Sequence, residues 1–153
     1  MFQILVVEDD VKLNQIYCSA LSENSFNTSS AFDGKEALEL MSKQSFDLVI
    51  SDIMMPGVDG YELTKQLREY YPELPILMIS AKEGYEDKRY GFLAGIDDYM
   101  VKPVDLNEMI LRVYALLRRA KIVSERKIKI GGTTLYFDTY TAEFGNKKVE
   151  IPQ

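Results

Sequence analysis

The stretch Phe46-Asp47-Leu48-Val49-Ile50, followed directly by Ser51-Asp52, decides the fold of this chain. It is a short and almost unbroken apolar run, which is typical of a strand covered on both faces, as in a parallel sheet. Similar runs are Phe2-Gln3-Ile4-Leu5-Val6-Val7, which stops at Glu8-Asp9-Asp10, and Pro75-Ile76-Leu77-Met78-Ile79, which stops at Ser80. Each of these buried strands therefore ends in side chains that can carry chemistry.

Amphipathic segments separate the strands. Leu13, Ile16, Tyr17, Ala20 and Leu21 repeat at the spacing of one helix face. Further helices are predicted after Asp33-Gly34, around Leu63 and Leu67, from Glu86 to Leu93, and from the capping sequence Asp105-Leu106-Asn107-Glu108 onward. A polar strand near residues 27–31 is expected at a sheet edge, and Tyr99-Met100-Val101 supplies a fifth strand. This alternation predicts an α/β fold over residues 1–121, with a doubly wound, five-stranded parallel sheet.

Composition excludes several classes of protein. The 153 residues are 46% hydrophobic and 27% charged, which is typical of a globular domain and excludes a disordered chain. A single cysteine, Cys18, excludes a disulfide framework, and the absence of histidine excludes Ser-His, Cys-His and His-metal sites. No apolar run approaches the roughly 20 residues of a membrane helix, and the start lacks a charged signal region, so we expect no membrane association and a cytoplasmic location. The net charge of −6 argues against wrapping nucleic acid.

Reactive side chains follow the ends of four predicted strands. In open α/β sheets ligands bind beyond the carboxyl ends of the strands. Those ends carry Glu8 and Asp9, then Asp52, then Ser80, then Lys102. Any one of these acids, taken alone, could instead cap the following helix. Together, the acids form an all-oxygen cluster of the kind that suits Mg²⁺, and a lysine beside them would neutralise an anionic group. A carboxylate that acts as a nucleophile toward phosphorus forms an aspartyl phosphate, and Asp52 is the acid best placed to be that nucleophile.

Four segments together resemble a known family. They are Leu5-Val6-Val7-Glu8-Asp9-Asp10, Asp52-Ile53-Met54-Met55-Pro56-Gly57-Val58-Asp59-Gly60, Ile79-Ser80-Ala81-Lys82, and Asp97-Asp98-Tyr99-Met100-Val101-Lys102-Pro103. In this order they resemble the receiver domain of bacterial two-component response regulators, which is a flavodoxin-like fold. The resemblance covers residues 1–121.

The resemblance implies a role for each acid at the strand ends. Asp52 would accept a phosphoryl group from a histidine of a sensor histidine kinase. Glu8, Asp9, Asp52 and the backbone carbonyl of Met54 would surround Mg²⁺. The Met54 side chain is apolar at a position where an amide or an acid could position attacking water. Self-dephosphorylation would therefore be slow. As a phosphoacceptor the protein would not be an enzyme in its own right, beyond Mg²⁺-dependent self-phosphorylation from small donors.

The resemblance also implies a switch. Ser80 and Lys102 would bind the phosphoryl oxygens, and Tyr99 would change rotamer as Ser80 moves toward the phosphate. Lys102-Pro103 would be a cis peptide. The outcome would be a shift between two arrangements of the last helix-strand-helix segment.

Asp97-Asp98-Tyr99 and Arg118-Arg119 indicate the subclass with a winged-helix DNA-binding domain, called OmpR/PhoB-type. In that subclass phosphorylated receivers form a homodimer through charged residues of the last helix-strand-helix face. The matching positions are Lys88 with Glu108, Asp98 with Arg112, and Asp97 with Arg119. These residues could instead be ordinary solvated charges, since exposed ion pairs contribute only about 0–1 kcal/mol each. Arg89 and Val104 depart from the subclass pattern.

The remaining residues change character. Residues 122–127 are predicted to be a linker, and residues 128–153 contain short strands, among them Ile128-Lys129-Ile130 and a hairpin at Gly145-Asn146. This antiparallel β segment resembles the start of the winged-helix effector domain of the same subclass. We expect a truncated effector domain, with DNA bound only through the part that is missing.

Two other functions fit parts of the pattern. A phosphatase of the haloacid-dehalogenase class also uses a strand-end aspartate and Mg²⁺, but it needs a second aspartate two residues later, where this chain has Met54. A receiver-like interaction module that is never phosphorylated is the other alternative, and the presence of the whole set argues against it: Glu8, Asp9, Asp52, Ser80 and Lys102.

Overall fold

The computed structural model describes residues 1–55, 57 and 59–131, with side chains up to residue 121. Five strands alternate with five helices in this part of the chain. In order, these are β1 (Gln3–Val7), α1 (Val11–Glu23), β2 (Asn27–Ala31), α2 (Gly34–Lys43), β3 (Leu48–Asp52), α3 (Gly60–Tyr70), β4 (Ile76–Ser80), α4 (Tyr85–Ala94), β5 (Asp98–Val101) and α5 (Leu106–Gly131).

The strands form one parallel sheet in the order β2-β1-β3-β4-β5. The order reverses beside β1, so helices cover both faces and the sheet is doubly wound, as the sequence predicts. The polar strand β2 lies at one edge, which is also as predicted. Strand β3 is central and all five of its residues are buried. Its carboxyl end, where Asp52 lies, is therefore flanked by the ends of β1 and β4.

Alternate residues of each strand face opposite hydrophobic clusters. In β1, Ile4 and Val6 pack with α1 and the first half of α5, whereas Leu5 and Val7 pack with α2 and α3. Both clusters consist mainly of fully buried aliphatic side chains. The sheet is thus fixed on both sides, which gives the loops at its carboxyl edge a rigid base.

Aspartates start most of the helices. Asp10, Asp33 and Asp59 each accept a hydrogen bond from a backbone N–H of the first turn of α1, α2 and α3. Asp105 accepts from the N–H groups of Asn107 and Glu108 in the same way. These are N-caps, which satisfy backbone donors that have no partner within the helix. Helix α4 ends at Ala94 and is capped by Gly95, whose φ of 119° favours glycine.

Two local predictions differ from the structure. Ile16, predicted on the apolar face of α1, is 46% exposed, and Asn14 occupies the buried face instead. Helix α5 continues to Gly131, so Ile128-Lys129-Ile130, predicted as a strand, is helical. The helix also includes residues 122–127, whose role as a linker stays a prediction. No glycine or proline interrupts residues 122–130, and Glu125, Arg126, Lys127 and Lys129 favour a helix there.

The other strands predicted in residues 128–153 lie outside the described residues, as do Pro56 and Val58. The assignment of residues 128–153 to the start of a winged-helix domain therefore stays a prediction. Across the part of the chain that the structure describes, none of the helices is both long and apolar enough to span a bilayer.

Candidate functional site

The carboxyl edge of the sheet brings two buried acids and one lysine into contact. The Lys102 ammonium lies 2.8 Å from Glu8 Oε1 and 3.2 Å from Asp52 Oδ2. Glu8 is 2% exposed and Asp52 is 6% exposed, whereas about a fifth of the Lys102 side chain (21%) reaches solvent. The three residues come from the ends of β1, β3 and β5, so the fold assembles the cluster from positions far apart in the sequence.

The other carboxylate oxygen of Asp52 is anchored by the backbone that follows it. Asp52 Oδ1 accepts from the N–H of Ile53 at 2.7 Å and from the N–H of Met54 at 3.4 Å. Gly60 packs against the same backbone, because a Cβ at Gly60 would lie 2.2 Å from the Asp52 carbonyl oxygen. These contacts leave Oδ2 as the oxygen that faces the lysine and the open rim.

The pKa values of Glu8 and Lys102 are shifted by burial and by the contact between the two side chains. Burial raises the pKa of Glu8 above its ordinary value of 4.5, and the hydrogen bond from Lys102 opposes that rise. Burial lowers the pKa of Lys102, but the hydrogen bond to Glu8 and the charge of Asp52 outweigh it, and the net change is upward. The ammonium is therefore fully charged at neutral pH and neutralises part of the acidic cluster.

A third acid makes the cluster suitable for a cation. Carboxylate oxygens of Glu8, Asp9 and Asp52 lie within 4.8 Å of one another, and Asp9 is exposed. The resemblance to receiver domains implies that these acidic residues bind Mg²⁺. A set of hard oxygen donors that opens to solvent on one side fits this ion, which binds few protein ligands and keeps several waters.

Ser80 and Tyr99 lie next to the cluster along the sheet edge. Ser80 ends β4, is fully buried, and its hydroxyl accepts from the N–H of Lys82 at 3.1 Å. The Tyr99 hydroxyl donates to the Lys82 carbonyl at 2.6 Å, and the ring is buried. Burial raises the pKa of Tyr99, so the hydroxyl stays protonated as the donor of this bond. Lys102-Pro103 is a cis peptide, as the resemblance implies.

Four of the six predicted dimer-face residues, Asp97, Asp98, Glu108 and Arg112, already form ion pairs within the chain. Arg112 contacts both carboxylate oxygens of Asp98 at 2.8 Å and Glu108 Oε2 at 2.7 Å and 3.0 Å. Asp98 and Arg112, predicted as a pair, thus meet within one protomer. Glu108 pairs with Arg112 here and not with Lys88. Among the described side chains Lys88 makes no ion pair.

Asp97, predicted to pair with Arg119, is held by a residue that the sequence analysis did not identify. Arg68 of α3 donates to Asp97 Oδ2 at 3.0 Å and to the Gly95 carbonyl through two nitrogens at 2.6 Å and 3.1 Å. The N–H of Ile76 also donates to Asp97 Oδ2. Arg119 is exposed on α5. No pattern in the sequence signals the contact of Arg68, because it spans 29 residues and depends on where α3 ends.

Asn14 is the second residue that the sequence analysis missed. It is fully buried and its side-chain amide contacts the ends of β1 and β2. A signal was available, because positions 14, 17 and 21 share one helix face and both Tyr17 and Leu21 are apolar. A polar side chain on a buried helix face requires hydrogen-bond partners, so Asn14 marks a specific contact.

Comparisons with known proteins agree with this geometry. The model of the response regulator receiver domain family matches residues 4–114. The heme response regulator HssR of Staphylococcus epidermidis is 34% identical over 152 residues, which cover 99% of this chain and 67% of that protein. HssR of Staphylococcus aureus is 36% identical with the same coverage.

Solved structures show the same relationship. The receiver domain of the Francisella response regulator 1452 is 39% identical, with a TM-score of 0.74, over 78% of this chain and 98% of that one. The BeF3-activated DrrB receiver domain is 28% identical with a TM-score of 0.73, over 77% of this chain and 98% of that one. The predicted family and fold are confirmed: the chain belongs to the receiver-domain family of two-component response regulators.

Proposed function

We propose that this receiver is a switch that accepts a phosphoryl group on Asp52. One observation carries the proposal: Asp52 Oδ1 is fixed by the Ile53 N–H, while Oδ2 faces the Lys102 ammonium at the edge of an acidic cluster. This arrangement leaves one carboxylate oxygen free to act as the nucleophile. It lies next to an ammonium group and a candidate cation site, both of which can bind the oxygens of an incoming phosphoryl group. Family membership implies a histidine kinase as the partner in signalling.

In the proposed reaction Asp52 Oδ2 attacks the phosphorus of a phosphohistidine on the kinase. The new O–P bond forms as the N–P bond breaks, and the electron pair of that bond stays on the imidazole, which takes up a proton. Lys102 would move from the carboxylates onto a phosphoryl oxygen. Glu8, Asp9, Asp52 and the Met54 carbonyl would hold Mg²⁺, which supplies positive charge against the phosphoryl oxygens.

The switch would begin at Ser80. Its hydroxyl would turn from the Lys82 N–H to a phosphoryl oxygen, and this would pull on the loop between β4 and α4. Tyr99 is tied to the same loop through the Lys82 carbonyl, so the loop and the ring would move together. The effect of Asp52 phosphorylation would thereby reach α4 and β5.

We further propose that phosphorylation promotes a homodimer through the α4–β5–α5 face, using Lys88, Asp97, Asp98, Glu108, Arg112 and Arg119. A winged-helix domain attached beyond the receiver would then bind DNA as a dimer. Receivers in general are not catalytic enzymes. We propose that this one can at most phosphorylate itself from small donors with Mg²⁺, and that its self-dephosphorylation is slow because Met54 offers no polar group to position water. The cytoplasmic location stays a prediction.

Incubation with acetyl phosphate and Mg²⁺, followed by mass spectrometry of the intact protein, tests the proposal. We expect an added mass of about 80 Da, the mass of one phosphoryl group. Asp52→Asn should abolish the adduct. Asp47→Asn, which removes an exposed acid near the other end of β3, should retain it. An adduct that survives in Asp52→Asn would refute the assignment, and no adduct in the unaltered protein would favour a non-phosphorylated module. Continuous release of phosphate from many substrates would favour a phosphatase.

A further inference from the structure

Asn14 is a buried polar residue for which neither phosphoryl transfer nor the switch accounts. It lies in the second turn of α1, and none of its surface is exposed. An uncharged amide in this position has two N–H donors and one carbonyl oxygen that all require partners. Its partners therefore show what the residue does.

The Asn14 amide nitrogen bridges the ends of two strands. It lies 3.1 Å from the Glu8 carbonyl oxygen, 3.2 Å from the Ala31 carbonyl oxygen and 3.4 Å from the Val6 carbonyl oxygen. The Ala31 carbonyl also accepts from the backbone N–H of Glu8 at 3.0 Å. The amide thus ties α1 to the carboxyl ends of β1 and β2, at the point where the chain turns from the sheet toward the helix.

The carbonyl of Glu8 belongs to the peptide group that joins Glu8 to Asp9. A donor held against that oxygen fixes the plane of the peptide and with it the directions in which the two acidic side chains leave the backbone. Glu8 is anchored further by Lys102 and by the N–H of Asp10, but Asp9 is exposed. The direction of Asp9 thus depends largely on the backbone that Asn14 holds.

We propose that Asn14 is a positioning residue that sets the geometry of Glu8 and Asp9 for Mg²⁺. The inference rests on the proposed function, because it concerns the same cation site. Residues that orient metal ligands typically change metal affinity by about 10–100-fold when they are replaced. Mg²⁺ demands near-ideal geometry, so a small rotation of the Glu8-Asp9 peptide weakens binding.

The orientation of the amide is itself fixed by β2. The Ser30 hydroxyl donates to Asn14 Oδ1 at 2.6 Å, and the Cys18 thiol lies 3.4 Å from the same oxygen. Both contacts require Asn14 Oδ1 to face Ser30 and Cys18. The amide nitrogen of Asn14 therefore faces the backbone carbonyls at the carboxyl ends of β1 and β2. Ser30 is exposed, so its hydroxyl can be removed without opening the core.

The experiment is a titration of each protein with Mg²⁺ alone, followed by ¹H–¹⁵N NMR. Asn14→Leu removes the donor and keeps the size of the side chain. Ser30→Ala removes only the group that orients the amide. Leu21→Ala is the matched control, because it weakens the same helix at a fully buried position outside the acidic cluster.

We expect Asn14→Leu to weaken Mg²⁺ binding about tenfold or more, and Ser30→Ala about two- to threefold, while Leu21→Ala binds as the unaltered protein does. The proposal would be overturned if a folded Asn14→Leu variant bound Mg²⁺ as tightly as the unaltered protein. It would also be overturned if Leu21→Ala weakened Mg²⁺ binding as much as Asn14→Leu does. If Asn14→Leu does not fold, Ser30→Ala decides in the same way. A lack of Mg²⁺-dependent shifts at Glu8 and Asp9 in the unaltered protein would refute the cation site of the proposed function itself.

Discussion

Replacing Lys102 with methionine is expected to destabilise the protein in a way that depends on Mg²⁺. The ammonium contacts Glu8 at 2.8 Å and Asp52 at 3.2 Å, and both carboxylates are buried. With an effective dielectric constant of about 20, the two contacts correspond to roughly 6 and 5 kcal/mol of attraction before desolvation. Desolvation of the three ions cancels most of this sum, so the net effect must be taken from measured cases.

Removal of one partner from a buried ion pair typically costs about 3–5 kcal/mol, because it leaves a charge without compensation. Lys102 is partly open to solvent (21% exposed), so water screens the acids that remain. We therefore expect Lys102→Met to lower the free energy of unfolding by about 2–3 kcal/mol in metal-free buffer at pH 7. Urea unfolding followed by circular dichroism, with EDTA present, measures this value.

Mg²⁺ should recover a large part of this loss. The ion would bind between Glu8, Asp9 and Asp52, where it replaces the positive charge of the lysine. A ligand that binds only the folded state stabilises it by about 2.7 kcal/mol at a hundredfold excess over its Kd. The variant should bind Mg²⁺ more tightly than the unaltered protein, because its acids lack their ammonium partner. The midpoint of urea unfolding should thus rise more with Mg²⁺ in the variant.

Acidification should also reduce the loss. Burial raises the pKa of Glu8, and the hydrogen bond from Lys102 opposes this rise, so removal of the lysine raises that pKa further. The penalty of a buried charged Glu8 is fully present above its folded pKa, shrinks as the pH falls through that value, and is absent below 4.5, where the acid is mostly protonated in both states. Lys12→Met, at an exposed lysine on α1, is the control. A loss below about 0.5 kcal/mol, or one that Mg²⁺ and pH leave unchanged, would refute this reasoning.

Three further predictions concern other residues of the site and its surroundings. Met54 is 61% exposed and offers no polar group for an attacking water, so Met54→Asn should shorten the lifetime of phosphorylated Asp52 about tenfold, measured by loss of the adduct mass over time. Gly60→Ala would place a Cβ 2.2 Å from the Asp52 carbonyl oxygen and should lower the free energy of unfolding by about 2 kcal/mol or more in urea. Arg68→Met removes both hydrogen-bond donors to the Gly95 carbonyl and should lower the free energy of unfolding in urea by about 2 kcal/mol.

Burial on both faces made the architecture predictable from the sequence. A central parallel strand such as β3 must be apolar at nearly every position, and its run of buried residues ends where the sheet ends. Reactive side chains that follow such runs consequently converge at one edge. That rule was sufficient to bring Glu8, Asp52 and Lys102 together from three separate segments.

Contacts that depend on where a helix or strand ends could not be predicted from the apolar pattern of the sequence. Arg68 reaches Asp97 and the Gly95 carbonyl only because α3 ends near the turn between α4 and β5. Periodicity identifies an apolar face, but it does not determine where that face stops, so Ile16 was assigned to the core and Asn14 was overlooked. The length of α5 was missed because a charged segment without glycine or proline fits both a linker and a helix.

The ion pairs of the α4–β5–α5 face limit what charge can contribute to a dimer. Asp98 and Glu108 already share Arg112, and Asp97 holds Arg68. A contact between two protomers at these acids would exchange one pair for another, and exposed pairs contribute only about 0–1 kcal/mol each. Exchange of this kind fixes the register of two surfaces but adds little affinity. The affinity of the proposed dimer would then come from apolar area, and Phe92, 49% exposed on α4, is available for burial. A switch that moves α4 would control dimer formation through that area more than through the charges beside it.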